Sequence, residues 1–285
     1  VCDYLGECQA VDAGLGVILD RLEAIGELDN TLLVVSGDHG IPGIPRAKCN
    51  LYDIGSEVAM AARWPGHITP GRVVDDMVNL MDLGPTFLEA AGVPVPPTMT
   101  ARSLLPLLES ERIGQVDADR TFVVTGRERH VAAAREGGLP YPQRAIRTHE
   151  YLYIHNFAPD RWPAGDPRGM DDPAATPPDY ETLCHDTQLV YGDMDAGPTK
   201  AWMIHHRADE EVRDLFALGF GKRPREELYD LAADPDHMMN LADAPEHEAI
   251  KAELRDTLMD VLREQNDPRV TETPCRYEHV PYAGD

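Results

Sequence analysis

Asp38 and His39 stand side by side in the run Gly37-Asp38-His39-Gly40, and Lys48 follows ten residues after the aspartate. Carboxylate and imidazole are both metal ligands, and an ammonium group nearby supplies a counter-charge for an anion. The pair follows an apolar run, Leu32-Leu33-Val34-Val35, and precedes a Pro/Gly loop that carries Arg46 and Lys48. An apolar run of this length, bounded by turn residues, reads as a buried strand. In open α/β sheets, ligands collect beyond the carboxyl ends of the strands. There, released from strand alternation, both side chains of the pair can turn toward one ion. Read alone, the pair is also what a strand-end turn looks like, since Asp and Gly are common turn residues. By the same standard Lys48 is a solvated lysine, and Arg46 is either a second anion contact or half of a surface salt bridge.

The elements that must position these groups are readable upstream and downstream. From Leu5 to Ile25, apolar residues recur in steps of three and four, which predicts a helix with one buried face, ended by Gly26. Thr31–Ser36 is then the strand, and helix feeding strand is an α/β signature. Ser56–Trp64 predicts a second strand, and Asp82–Ala91 a helix with Asp82 as N-cap, Pro85 in its first turn and Gly92 at its end. Thr121–Thr125 is a further short strand. Beyond about residue 130 the texture changes. Arg144–Thr148 and Tyr151–His155 predict a hairpin, the residues from 159 to 178 a long Pro/Gly/Asp loop, Glu227–Leu231 a strand, and Glu246–Arg263 a terminal amphipathic helix. Strands followed by one helix, without βαβ alternation, predict an α+β subdomain. The division expected is 1–130 and 131–285.

The 285 residues carry 26 Lys+Arg against 50 Asp+Glu, a net charge of −24. That balance argues against nucleic acid as a partner, because phosphate binding needs a basic footprint. An anionic substrate would need a local cationic pocket within this negative field. Five scattered cysteines without a CxxC pair do not form a disulfide framework. Cys49 adjoins Lys48, which favours thiolate, but a buried inert thiol is the better reading. His205-His206 reads as solvated surface. No stretch approaches the ~20 apolar residues of a membrane span.

The ordered set of motifs resembles the sulfatases of the alkaline phosphatase superfamily. It comprises Ser36-Gly37-Asp38-His39-Gly40, Lys48, Arg63-Trp64-Pro65-Gly66, Asp82-Leu83-Gly84-Pro85-Thr86, Ser103-Leu104-Leu105-Pro106, Tyr151-Leu152-Tyr153 and Glu227-Leu228-Tyr229-Asp230-Leu231. Ile41-Pro42, Asn50-Leu51-Tyr52 and Tyr141-Pro142-Gln143-Arg144 bring it closest to the heparan N-sulfatase (sulfamidase) branch. The resemblance implies part of a large α/β sheet flanked by helices, with a smaller α+β C-terminal subdomain. It implies one divalent ion, calcium in most members, held in part by Asp38 and His39. It also implies a sulfate contact from Lys48, and a pocket-lining role for His130, which otherwise reads as an exposed loop histidine. His39 sits less easily with calcium, since imidazole suits zinc or manganese better. The substrate implied is a sulfated carbohydrate or other sulfate ester or sulfamate. Members use a formylglycine made from a C/S-x-P-x-R motif; no Cys or Ser here begins one. The chain is therefore expected to be inactive alone and to associate with an N-terminal part that carries it. A phosphodiesterase or phosphonate monoester hydrolase of the same superfamily, and a non-catalytic glycan-binding relative, remain as alternatives.

Overall fold

The computed structural model describes residues 2–279. The chain forms two compact units: one takes residues up to Ser36 together with Ala59–Asp119, the other takes Gly37–Val58 and everything from Arg120 onward. The division expected at 130/131 thus falls inside the second unit.

The first unit opens with helix α1 (Cys2–Ala24), closed as expected at Gly26, which adopts φ 76° and donates to Glu23 O. Two strands, β1 (Leu33–Ser36) and β2 (Met60–Arg63), pair antiparallel. Helix α3 (Leu83–Ala90) and the single turn α4 (Leu105–Leu108) follow. Three expectations are corrected here. The apolar stripe of α1 is open to solvent, with Val11 67% and Ile18 54% exposed; a 3.6-residue period reports an amphipathic helix, not the presence of a neighbour to cover it. Strand β1 is part-exposed rather than buried, because β2 is its only strand partner among the described residues. Asp82 occupies the N-cap position of α3 as expected, but its side chain makes no cap hydrogen bond to that helix; the capping residue is Asn79, at the head of the 3₁₀ turn Leu80–Asp82 that leads into it. Its side chain accepts from Met81 N, while the Asp82 carboxylate reaches back to Asn79 N, the reciprocal pattern of a capping box.

The second unit is built on a four-stranded antiparallel sheet. Its strands β3 (Phe122–Arg127), β4 (Gln143–Thr148), β5 (Tyr151–Asn156) and β6 (Glu226–Asp230) lie in the order β3-β4-β5-β6. Successive side chains point to opposite faces of a strand, and both faces are buried. Ile146, Tyr153 and Leu228 face helix α8 (Glu248–Glu264) and its Leu254, Leu258 and Leu262. Ala145, Leu152, Ile154 and Tyr229 face Leu51 and Tyr52 of the Gly37–Val58 segment, which holds the short helix α2 (Asp53–Ser56). Ser56 is therefore helical, and the second strand starts only at Met60. Three helices, α5 (Tyr180–His185), α6 (Pro198–His205) and α7 (Glu210–Phe220), are inserted between β5 and β6 and build a third core around Leu183, Ile204 and Phe220. The sequence reading missed them. Two are eight residues or shorter, too short for a period to show; α7 carries a readable stripe, Val212, Phe216 and Phe220, that was overlooked. A last turn, α9 (Pro268–Thr271), follows α8.

Candidate functional site

The segment that carries the candidate residues folds as a tight clasp. Gly40 N donates to Gly55 O at 2.9 Å, and a Cβ on Gly40 would lie 1.9 Å from Ile54 O, so only glycine fits. Lys48 N donates to Ile41 O at 3.2 Å, and Asn50 ties off the turn through its own side chain to the carbonyls of Ala47 and Lys48. The loop thus doubles back, bringing the Lys48 backbone to the residue that follows Gly40. The turn is bought with two non-glycine residues in left-handed conformations, Arg46 at φ 65° and Cys49 at φ 69°.

Asp38 and His39 point together. His39 Nε2 lies 3.3 Å from Asp38 Oδ2, and His39 Nδ1 lies 2.8 Å from Gly40 O. The carbonyl can only accept, so Nδ1 carries a proton. Either the ring is an imidazolium donating at both nitrogens, or the Nε2 lone pair and the carboxylate oxygen converge on a cation. The donor set therefore fits a divalent ion in kind. It is small in number: no group of three or more His, Cys, Asp or Glu suited to a metal occurs among the described residues. The carboxylate is 86% exposed, open to further ligands.

Lys48 is held by an acid that sequence reasoning did not single out. Its Nζ donates to Asp195 Oδ2 at 3.1 Å, with both side chains part-exposed. Two residues earlier, the Asp193 carboxylate is buried and accepts from Arg127 Nη2 at 2.6 Å, Arg135 Nη2 at 2.5 Å and Val131 N at 3.1 Å. His130 Nδ1 is 3.9 Å from Asp193 Oδ1, too long for a hydrogen bond. Burial, opposed by Asp193, lowers the His130 pKa, so its ring is neutral at pH 7. The run Gly192-Asp193-Met194-Asp195 is fixed from behind by Lys200, fully buried, whose Nζ donates to the carbonyls of Thr187, Tyr191 and Met194. Burial pushes the Lys200 ammonium down to about 8. The signal for this run was visible as two acids one residue apart in a Gly-flanked loop, but nothing local ties it to Lys48, 147 positions away.

Arg46 is neither a surface ion pair nor an open contact. Its guanidinium is buried 3.7 Å above the Tyr52 ring, and Nη2 donates to the Tyr229 hydroxyl. Tyr52 and Tyr229 both donate to Glu227 Oε2 at 2.7 Å, which anchors the clasp to β6. Cys49 is pushed up to about 11, because burial outweighs the cations beside it, so its thiol stays protonated and inert.

Comparison with known proteins agrees with the fold. Residues 46–175 match the family model for the C-terminal part of N-sulphoglucosamine sulphohydrolase. The chain is 29% identical over 270 residues to human N-sulphoglucosamine sulphohydrolase, covering 91% of this chain and 47% of the relative. It is 28% identical over 239 residues to an ulvan-active sulfatase of Formosa agariphila, covering 84% and 39%. The solved structure of BT4656 with its substrate D-glucosamine-2-N,6-O-disulfate superposes with a TM-score of 0.58 at 24% identity, covering 95% of this chain and 42% of that one. The chain thus spans less than half the length of these relatives. In sequence and in fold the chain is thus similar to the C-terminal portion of these sulfatases.

Proposed function

We propose that this chain supplies the metal-facing pair and the anion-holding lysine of a sulfatase that hydrolyses sulfate esters or sulfamates on carbohydrate. The observation that carries the reading is the clasp from Gly40 to Gly55. It follows directly on Asp38 and His39, whose Oδ2 and Nε2 lie 3.3 Å apart, and folds the Lys48 backbone back onto Ile41, with the Lys48 ammonium part-exposed. Relatives named for sulfated glycans and a glucosamine sulfohydrolase support the choice of substrate class.

Asp38 and His39 would hold a divalent cation, calcium by the family pattern, together with ligands outside this set. When bound, that ion polarises sulfate oxygens and offsets charge developing on them. Lys48 holds a further sulfate oxygen, and leaves Asp195 or shares its protons with the ester to do so. His130, neutral, offers the sugar a hydrogen-bonding edge beside Lys48. The nucleophile expected from the family, formylglycine, belongs to a part with no counterpart in these residues, so association with that part is included in the proposal.

The test is a substrate panel on the protein expressed from its full reading frame: an aryl sulfate, glucosamine N-sulfate, an aryl phosphonate ester and a phosphate diester. Sulfate release from either of the first two is expected. Hydrolysis confined to the phosphorus esters would replace this reading with the phosphohydrolase one. Glycan binding without turnover, indifferent to chelator and to Lys48→Ala, would leave a binding protein.

A further inference from the structure

Lys48 lies between two non-glycine residues in left-handed conformations, Arg46 at φ 65° and Cys49 at φ 69°. That conformation crowds Cβ against the backbone, so glycine and asparagine usually take it. Another side chain persists there only where its surroundings hold it. For Arg46 the holding contacts are explicit. Its guanidinium stacks 3.7 Å above the Tyr52 ring, and Nη2 donates to the Tyr229 hydroxyl at 3.3 Å. Both tyrosine hydroxyls donate to one oxygen of Glu227, and the other oxygen accepts from Asn156 Nδ2 at 2.7 Å. The two rings meet edge to face at 5.9 Å. Tyr52, Tyr229 and Glu227 are all buried, and Arg46 itself is only 7% exposed, so it has no open face to offer an anion.

The backbone carries this constraint to Lys48. Ala47 N donates to Ile44 O and Lys48 N to Ile41 O, both at 3.2 Å, and Asn50 N returns to Ala47 O at 3.0 Å. A Cβ on Gly55 would lie 2.4 Å from Ala47 O and 2.6 Å from Asn50 O, so the turn is seated directly on α2. Beyond Lys48, Asn50 Oδ1 accepts from Arg223 Nη2 at 2.7 Å. The dihedral at Arg46 is the rotation that feeds the chain into this turn. Releasing it swings the residues that follow, Lys48 among them, out of their seat.

We propose that Arg46 is a positioning residue for Lys48: clamped by Tyr52, Tyr229 and Glu227, it keeps the turn left-handed and so aims the ammonium, without touching the anion itself. Arginine suits this task because its planar guanidinium stacks on an aromatic face, which an ammonium group does less well. That the aim serves a sulfate rests on the function proposed above; the clamp does not.

The experiment uses the protein expressed from its full reading frame and labelled with ε-13C-lysine, the Lys48 signal being the one lost in Lys48→Arg. Arg46→Lys keeps the charge and gives up the planar stack. Arg46→Gly relieves the crowding at φ 65° and gives up the clamp. In both, the Lys48 signal is expected to shift or broaden, and the Kd for inorganic sulfate to rise about threefold to tenfold, part of what a charged hydrogen bond contributes. Tyr52→Phe, which takes one hydroxyl from Glu227 and keeps the ring, is the milder variant and is expected to move the signal in the same direction. Leu258→Ala, on the opposite face of the sheet, controls for general destabilisation and is expected to leave the signal in place. A Lys48 signal unmoved in the Arg46 variants and in Tyr52→Phe overturns the proposal, as does an equal shift in Leu258→Ala. A shifted signal with sulfate affinity unchanged or absent upholds the clamp and counts against Lys48 as a sulfate ligand, which separates the two failures.

Discussion

The ammonium of Lys48 rests 3.1 Å from the Asp195 carboxylate, so the group assigned to hold sulfate already has an anion beside it. Any incoming anion competes with that carboxylate. Removing its charge with Asp195→Asn is therefore expected to tighten binding of glucosamine N-sulfate, by up to about fivefold, the scale of a part-exposed ion pair. Lys48→Ala is expected to weaken it by about tenfold to a hundredfold, the scale of a charged hydrogen bond. Isothermal titration on both variants measures this; equal affinities would detach Lys48 from the anion.

The clasp is predicted to fail at one atom. Gly40→Ala drives a methyl into Ile54 O, 1.9 Å from the ideal Cβ, where backbone must move. A loss of about 2–4 kcal/mol in urea unfolding is expected. Gly43→Ala is the control for space, since nothing lies within 4 Å of its added carbon, although φ 71° leaves some backbone strain.

Lys200 gives a pH signature. Its folded pKa of about 8 lies below the usual 10.5, so folding disfavours the charged form. Between those values the unfolded chain binds more protons than the folded one, and stability contributed by this group rises with pH, by roughly 3 kcal/mol across the window. Below pH 8 both states are protonated and the group adds no slope. The difference in unfolding free energy between wild type and Lys200→Met, followed from pH 7 to 10.5, is expected to show that rise; a flat difference contradicts it.

Packing predictions separate the two amphipathic helices that look alike in sequence. Leu258→Ala, at a fully buried site against the sheet, is expected to cost about 2–5 kcal/mol. Val11→Ser on α1, 67% exposed, is expected to stay within about 0.5 kcal/mol of wild type. Chemical denaturation of the two variants checks both.

That contrast also marks what was legible in the sequence. The hairpin β4–β5 and strand β6 were found to within a residue or two, because alternation and turn residues are local signals. So was α8, whose leucines recur on one face. Asp38, His39 and Lys48 stood out through the ordered motifs around them, since read alone the pair also fits a strand-end turn and the lysine a solvated one. Arg46 did not reveal its place: arginine is rarely buried, and only the rings of Tyr52 and Tyr229 make burial tolerable here. Asp193 and Asp195 were passed over because their partners, Arg127, Arg135 and Lys48, come from distant segments. Whether α1 has a neighbour is likewise not written in its own period.

The central claim is tested most directly by Asp38→Ala in the protein expressed from its full reading frame, with bound calcium and sulfate release from glucosamine N-sulfate measured on the same samples. Loss of the metal together with a fall in turnover of at least about a hundredfold, the scale of removing one electrostatic stabiliser of the transition state, is the expected result. Metal content and turnover both equal to wild type would contradict it.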